Sequence, residues 1–283
     1  MLGWWIGGLA MAGTSDGAWI GLREACDAGV GDACRIAAED LAEREAQAMV
    51  SDEVIALYRE ACLAADAESC RWLAESFRNG EGVTASVEEA AVFYEEACGV
   101  GQADACRELA DLYRLGTLGT IDPERAATWY AEGCDSGDPP SCTMAALSVE
   151  RGELGPRNPA RAKAMLTQAC EGEHGAGCTE LALRTNEKKR RVALFIAGCQ
   201  LEETVACREA GVALWRGSGV KRDRERARTF LTTACQRFDA MACREHARTL
   251  KQKDRKAAAA LAVQACQLGD EKACKWGERW SKE

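Results

Sequence analysis

Histidine is nearly missing from this chain, with two in 283 residues. That scarcity excludes mixed cysteine–histidine zinc sites as the reason for a large thiol content. Also lacking is any apolar run long enough to span a bilayer, so no stable membrane insertion is expected. The short run at residues 2–9 (LGWWIGGL) precedes Ala10-Met11-Ala12, which has the small-x-small form of a signal-peptidase site, but a basic leader region in front of it is missing. Residues 1–13 are therefore either the tail of a signal peptide that starts upstream or an N-terminal cap on the folded chain. No glycine-rich loop stands before a helix where it would cradle phosphate, and no cofactor is called for.

Cysteine is what the chain has in excess: 16 residues, all in pairs eight apart. The pairs are Cys26/Cys34, Cys62/Cys70, Cys98/Cys106, Cys134/Cys142, Cys170/Cys178, Cys199/Cys207, Cys235/Cys243 and Cys266/Cys274. Zinc sites favour two to four residues between paired ligands, so the spacing argues for local disulfides. Disulfides persist in oxidising spaces, which points to a periplasmic or secreted protein; the alternative is a reduced cytosolic chain.

The first cysteines of the pairs step by 36, 36, 36, 36, 29, 36 and 31 residues. Residues 88–113 show the unit most clearly. Ala90, Phe93, Tyr94, Ala97 and Cys98 make one apolar helical stripe flanked by Glu88, Glu89, Glu95 and Glu96. Two glycines then break the pattern, and Cys106, Leu109, Ala110 and Tyr113 resume it on a second, antiparallel helix. Four residues before each first cysteine stand Leu22, Tyr58, Tyr94, Tyr130, Leu166, Phe195, Leu231 and Ala262, all apolar or aromatic. Eight before it the residue is small or aliphatic except at Arg191, where packing is expected to change. Glycine pairs at 80/82, 116/119, 152/155 and 217/219 supply the turns between units, whereas the two short steps lack them and predict clipped second helices near residues 181–185 and 246–250.

A two-helix hairpin cannot bury its own stripe, so the units must stack. The reading is all-α: a right-handed α/α superhelical solenoid of eight helix-turn-helix repeats, with one local disulfide per repeat. The repeats fall at about 14–49, 50–85, 86–121, 122–157, 158–185, 186–221, 222–250 and 251–283 within a single solenoid over 14–283. Trp276 and Trp280 are suited to close the far end.

The pattern A-x3-Y-x2-AC-x7-C-x2-LA, with EGV and GSGV loops, resembles the Sel-1-like repeat family over residues 14–280, and the regular cysteine pair resembles its disulfide-bridged, cysteine-rich bacterial secreted branch. The resemblance implies a tetratricopeptide-like scaffold that binds other proteins. Penicillin binding and weak β-lactamase activity, attributed to members of that branch, make a hydrolase of β-lactams or cell-wall peptides the first alternative. An assembly or redox-relay factor in an oxidising compartment is the second.

Chemistry-bearing motifs are few. Ser218 and Lys221 read S-x-x-K, but they lie in the GSGV turn, and neither S-D-N nor K-T-G accompanies them. His174 and His246 sit in different units with no nucleophile pattern nearby, which favours surface or interface roles. No catalytic residue is assigned.

Charge is more informative. Residues 1–142 carry 9 Lys+Arg against 27 Asp+Glu, net −18, and residues 143–283 carry 27 against 18, net +9, recovering the total of −9. Nucleic acid is not expected to be a partner, since the basic run at residues 188–191 (KKRR) is short and lacks interleaved aromatics. A register hides in the charges. Nine residues before the first cysteine stand Arg125, Arg161, Arg190 and Arg226, and two before it stand Glu24, Glu60, Glu96 and Glu132. If first helices line the concave wall, as the resemblance implies, these form a ladder able to hold a protein or extended acidic peptide. Alternatively, each arginine pairs with a glutamate of its own or the next unit.

Overall fold

The computed structural model describes residues 16–45 and 51–282. The run at residues 2–9 and the site at Ala10–Ala12 lie outside the described residues. Sixteen helices and no strand occur among those described, and the chain divides between Ser136 and Gly137 into two compact units.

The first unit contains α1 (Asp16–Asp27), α2 (Gly31–Glu45), α3 (Asp52–Leu63), α4 (Ala67–Asn79), α5 (Val87–Gly99), α6 (Ala103–Leu115) and α7 (Pro123–Asp135). Each helix packs on the next in chain order. Starts are set by side chains that accept orphan backbone N–H groups: Ser51 from Val54, Asp66 from Ser69, Ser86 from Glu89 and Asp122 from Arg125. The anticipated stripe is buried, with Ala90, Tyr94, Ala97 and Cys98 in the core and Phe93 half-buried against it. Glu88, Glu89, Glu95 and Glu96 are exposed. Aromatic rings tie the helices together: Tyr58 stacks on Trp72 within one repeat at 3.8 Å, and Phe77 on Phe93 of the next repeat at 5.5 Å.

The second unit contains α8 (Pro139–Arg151), α9 (Pro159–Glu171), α10 (Gly175–Leu183), α11 (Lys188–Gln200), α12 (Thr204–Arg216), α13 (Arg224–Gln236), α14 (Ala240–Leu250), α15 (Arg255–Gln267) and α16 (Glu271–Lys282). Here too successive helices pack in order, and α8, α10, α12 and α14 also touch along one side. Successive helices approach so closely that small residues are needed between them. A Cβ added at Gly177 would meet the Ala169 Cβ at 2.6 Å, and one at Gly211 the Leu231 Cγ at 2.7 Å. α10 has 9 residues and α14 has 11, against 13 in α8 and α12, so the short steps do clip the second helix. Where a small residue gives way to Arg191, that side chain is only half-buried and its neighbour Val192 takes the core place. Trp276 and Trp280 stack at 5.2 Å over Ala258, Ala259 and Ala262.

Disulfides staple the helix pairs. Cys26–Cys34, Cys62–Cys70, Cys98–Cys106, Cys170–Cys178, Cys199–Cys207, Cys235–Cys243 and Cys266–Cys274 are joined, with Cα atoms 4.5 to 4.8 Å apart. Cys134 and Cys142 are disulfide-bonded as well. Each short ring makes its turn with a left-handed residue three after the first cysteine. It is glycine at Gly29, Gly101, Gly137 and Gly269, but Ala65, Glu173, Glu202 and Phe238 in the other four. A side chain in that conformation costs about 1–2 kcal/mol, and the ring and the flanking helices hold it there.

Candidate functional site

The residue after the second cysteine of a unit is arginine in several repeats, and it reaches the next repeat. Arg35 Nε donates to Asp66 at 3.4 Å, Arg208 Nη1 to Asp239 at 2.6 Å and Arg244 Nη1 to Asp270 at 2.5 Å. Each of those aspartates simultaneously caps a second helix, accepting from Ser69, Ala242 and Ala273 N–H respectively. The carboxylates are nearly buried, so one group serves a cap and an inter-repeat ion pair together. In the fourth unit threonine replaces the arginine, and Thr143 Oγ1 lies 2.8 Å from Nδ1 of His174, the residue at the capping position before α10. His174 is thus an interface residue. The signal in the sequence was the register one past the second cysteine, and reading it requires knowing which helix packs on which.

These ties carry stability. Loss of Arg244 strands a nearly buried carboxylate, and Arg244→Ala is expected to cost about 2 kcal/mol in denaturant unfolding. Acid should weaken the array similarly at Asp66. Burial disfavours its charged form, but hydrogen bonds from Ser69 and the Arg35 charge outweigh burial and hold the carboxyl below its ordinary range. A carboxyl depressed in the fold stabilises above the unfolded value of about 3.9 and loses that contribution as pH falls through the folded value. A denaturation midpoint followed from pH 6 to 3 should therefore fall in wild type and fall less in Asp66→Asn.

Hydrolase chemistry gains nothing from the geometry. Ser218 lies between α12 and α13, its N–H donating to Ala213 O, and among the described residues no hydrogen bond joins it to Lys221. His246 is half-buried, with both ring nitrogens 3.4 Å from Thr232 Oγ1, and burial, then the nearby Arg228 charge, lowers its pKa. The redox alternative also lacks support: most sulfurs are sealed in the core, and only in the last unit are Cys266 and Cys274 both half-buried rather than buried. Cys26, Cys34 and Glu60 place ligand-type atoms within 4.8 Å of one another, but the two sulfurs are bonded together and offer no thiolate to a metal.

Ladder positions are largely at the surface. Arg125, Arg161, Arg190 and Arg226 are exposed, as are Glu24, Glu96 and Glu132. Glu60 is half-buried, 3.7 Å from Arg23 and 3.2 Å from the Cys26 sulfur. The alternative pairing of these arginines with glutamates does not occur among the described residues. Arg125 pairs instead with Asp122 at 3.3 Å and stands over Tyr113 at 5.5 Å, while Arg226 stands over Phe230 at 5.9 Å. No helix among the described residues is long and apolar enough to cross a membrane.

A profile of the Sel1 repeat matches residues 67–99, 103–138, 139–174 and 204–237. A protective antigen of uropathogenic Escherichia coli displaying an SLR fold superposes with a TM-score of 0.77 at 19% identity, covering 90% of this chain and 58% of that one. The chain thus spans under two thirds of that protein's length. A Sel1 repeat protein from Oxalobacter formigenes gives 0.59 at 20% identity, over 80% of this chain and 92% of that one. No curated protein sequence matches significantly. The chain thus carries four matched Sel1 repeats, each spanning a second helix and the first helix that follows it, on a fold shared with solved structures of that kind.

Proposed function

We propose that this protein is an exported scaffold, kept folded in an oxidising compartment by its intrarepeat disulfides, that binds a protein or extended peptide on the surface of its first helices. The observation that carries the reading is the oxidation state: sixteen cysteines, none free, nearly all buried in short rings. Such rings form and persist in a periplasm or outside the cell, not in a reducing cytosol. The contact surface we assign to the exposed residues Arg125, Arg161, Arg190 and Arg226 and to Glu60, Glu96 and Glu132, which recur in register along successive first helices. Guanidiniums not engaged by glutamates of the chain are available to carboxylates of a partner.

The test is capture on immobilised, oxidised protein from an extract of the native compartment. A polypeptide should be retained, should elute with salt, and should bind at least several-fold more weakly to Arg161→Ala/Arg190→Ala at an unchanged melting temperature. Retention of no polypeptide, or undiminished retention by protein unfolded with reductant, defeats the scaffold reading; unchanged retention by the double variant defeats only the assigned residues.

A further inference from the structure

The positive charge of the second unit is not spread evenly. Several arginines elsewhere in it are answered: Arg184 pairs with Glu150 and Glu180, Arg208 with Asp239, Arg237 with Glu202, and Arg244 with Asp270. Around the turn from α12 into α13 they are not. Lys221, Arg222, Arg224, Arg226 and Arg228 make no ion pair among the described residues, and the Arg228 Nε is buried without a hydrogen-bond partner. Arg222, Arg224 and Arg228 all stand over the ring of Trp215, at 5.5, 5.4 and 5.7 Å.

Next to this cluster lies a groove of about 790 Å³ between α11, α12 and the start of α13. Its floor is apolar, made by Ile196, Leu214 and Val220, and its walls carry Lys221, Arg222, Arg224 and Arg226. Two acids, Asp223 and Glu225, also line it. Asp223 is engaged, accepting from the Arg226 N–H to cap α13, while Glu225 is exposed. Stability does not ask for this arrangement. Cations in the first turn of α13 oppose the helix macrodipole, and guanidiniums crowded on one indole repel each other. A sequence that breaks local rules at one place, with ring contacts but no carboxylate to neutralise the charge, points to that place as functional.

We propose that this groove binds an extended acidic peptide segment bearing aliphatic side chains. The proposal rests on the scaffold reading above and names the class of its partner. Guanidiniums stacked on Trp215 keep their in-plane N–H donors free and pre-oriented, which suits bidentate capture of carboxylates. The floor then takes the aliphatic groups between them. That apolar floor is what separates a peptide from other anions. A sulfated glycan has no aliphatic side chain to bury, and a nucleic acid needs an open aromatic face for its bases, whereas the face of Trp215 is occupied by arginines.

Fluorescence anisotropy decides it, using oxidised full-length protein and a fluorescein-labelled peptide of glutamates and aspartates interrupted by two leucines. Saturable binding is expected, weakening as salt rises and weakening several-fold when the leucines become serines. Arg222→Glu/Arg224→Glu should lose at least tenfold, and Lys253→Glu, an exposed charge reversal outside the groove, should change little. Should the double charge reversal fail to fold, the exposed Lys221→Glu must still weaken binding about threefold. Absence of peptide binding, unchanged binding in the folded reversal variants, or tighter binding of heparin or single-stranded DNA at the same salt overturns the groove. Loss through Arg161→Ala/Arg190→Ala instead also overturns it, but leaves the scaffold reading intact.

Discussion

Reduction of the disulfides is expected to unfold this protein at room temperature. In the chain-entropy model a ring of this length contributes about 2.5 kcal/mol. A domain's net stability is about 5–15 kcal/mol, so even with imperfect additivity the loss of all the rings exceeds what the packing holds in reserve. Packing here depends heavily on alanine: Ala37, Ala38, Ala74, Ala90, Ala110, Ala146 and Ala182 fill core positions where a larger side chain would bury more area. Far-ultraviolet circular dichroism during titration with reductant should show helix loss as thiols appear. The Cys266–Cys274 bridge, whose sulfur-bearing residues are the half-buried pair, should open first. Full helicity and an unchanged melt with all thiols reduced would show that the staples are dispensable.

Tyr94→Ala should cost about 3–4 kcal/mol, since it removes a fully buried ring from between helices of adjoining repeats. In a stacked array the damage stays near its origin, so hydrogen exchange should rise in α4 to α7 and little in α13 to α16. The phenol itself gives a sharper contrast. Burial raises the Tyr94 pKa to about 12, and its hydroxyl has no hydrogen-bond partner, with Arg78 standing over the ring at 5.8 Å. Tyr130, in the same register one unit on, donates to Asp111 at 2.5 Å and accepts from Arg114 at 2.8 Å. Tyr94→Phe should thus be neutral or stabilising, whereas Tyr130→Phe should cost about 1–2 kcal/mol by removing two hydrogen bonds to charged groups, which stay paired with each other. Equal effects of the two changes would contradict this picture of the core, and equal loss of exchange protection everywhere after Tyr94→Ala would contradict a repeat array.

The repeat was legible because it rests on short-range chemistry that a sequence states outright. Eight-residue cysteine spacing, a three-and-four apolar stripe and glycine where φ turns positive at Gly80, Gly116, Gly152 and Gly217 each constrain the backbone within one unit. Less legible were features made by stacking. The Arg208–Asp239 and Arg244–Asp270 ties join residues 31 and 26 apart, and nothing in either residue's own neighbourhood announces them. The turns at Ala65, Glu173, Glu202 and Phe238 were hidden because they take without glycine a conformation that elsewhere uses it. As for the candidate site, the sequence showed an arginine register but not Trp215. Its indole meets Arg222, Arg224 and Arg228 only because α12 turns back into α13, a juxtaposition made by the fold rather than by any one run of sequence.

Non-reducing peptide mapping of protein isolated from its native compartment, with free thiols blocked at lysis, tests the central claim most directly. Cys98 should be recovered linked to Cys106, Cys199 to Cys207, and every other cysteine to the one eight residues away, with no blocked thiol. Long-range or intermolecular links, or sixteen blocked thiols in the native protein, would contradict both the stapled repeat and the oxidising compartment proposed for it.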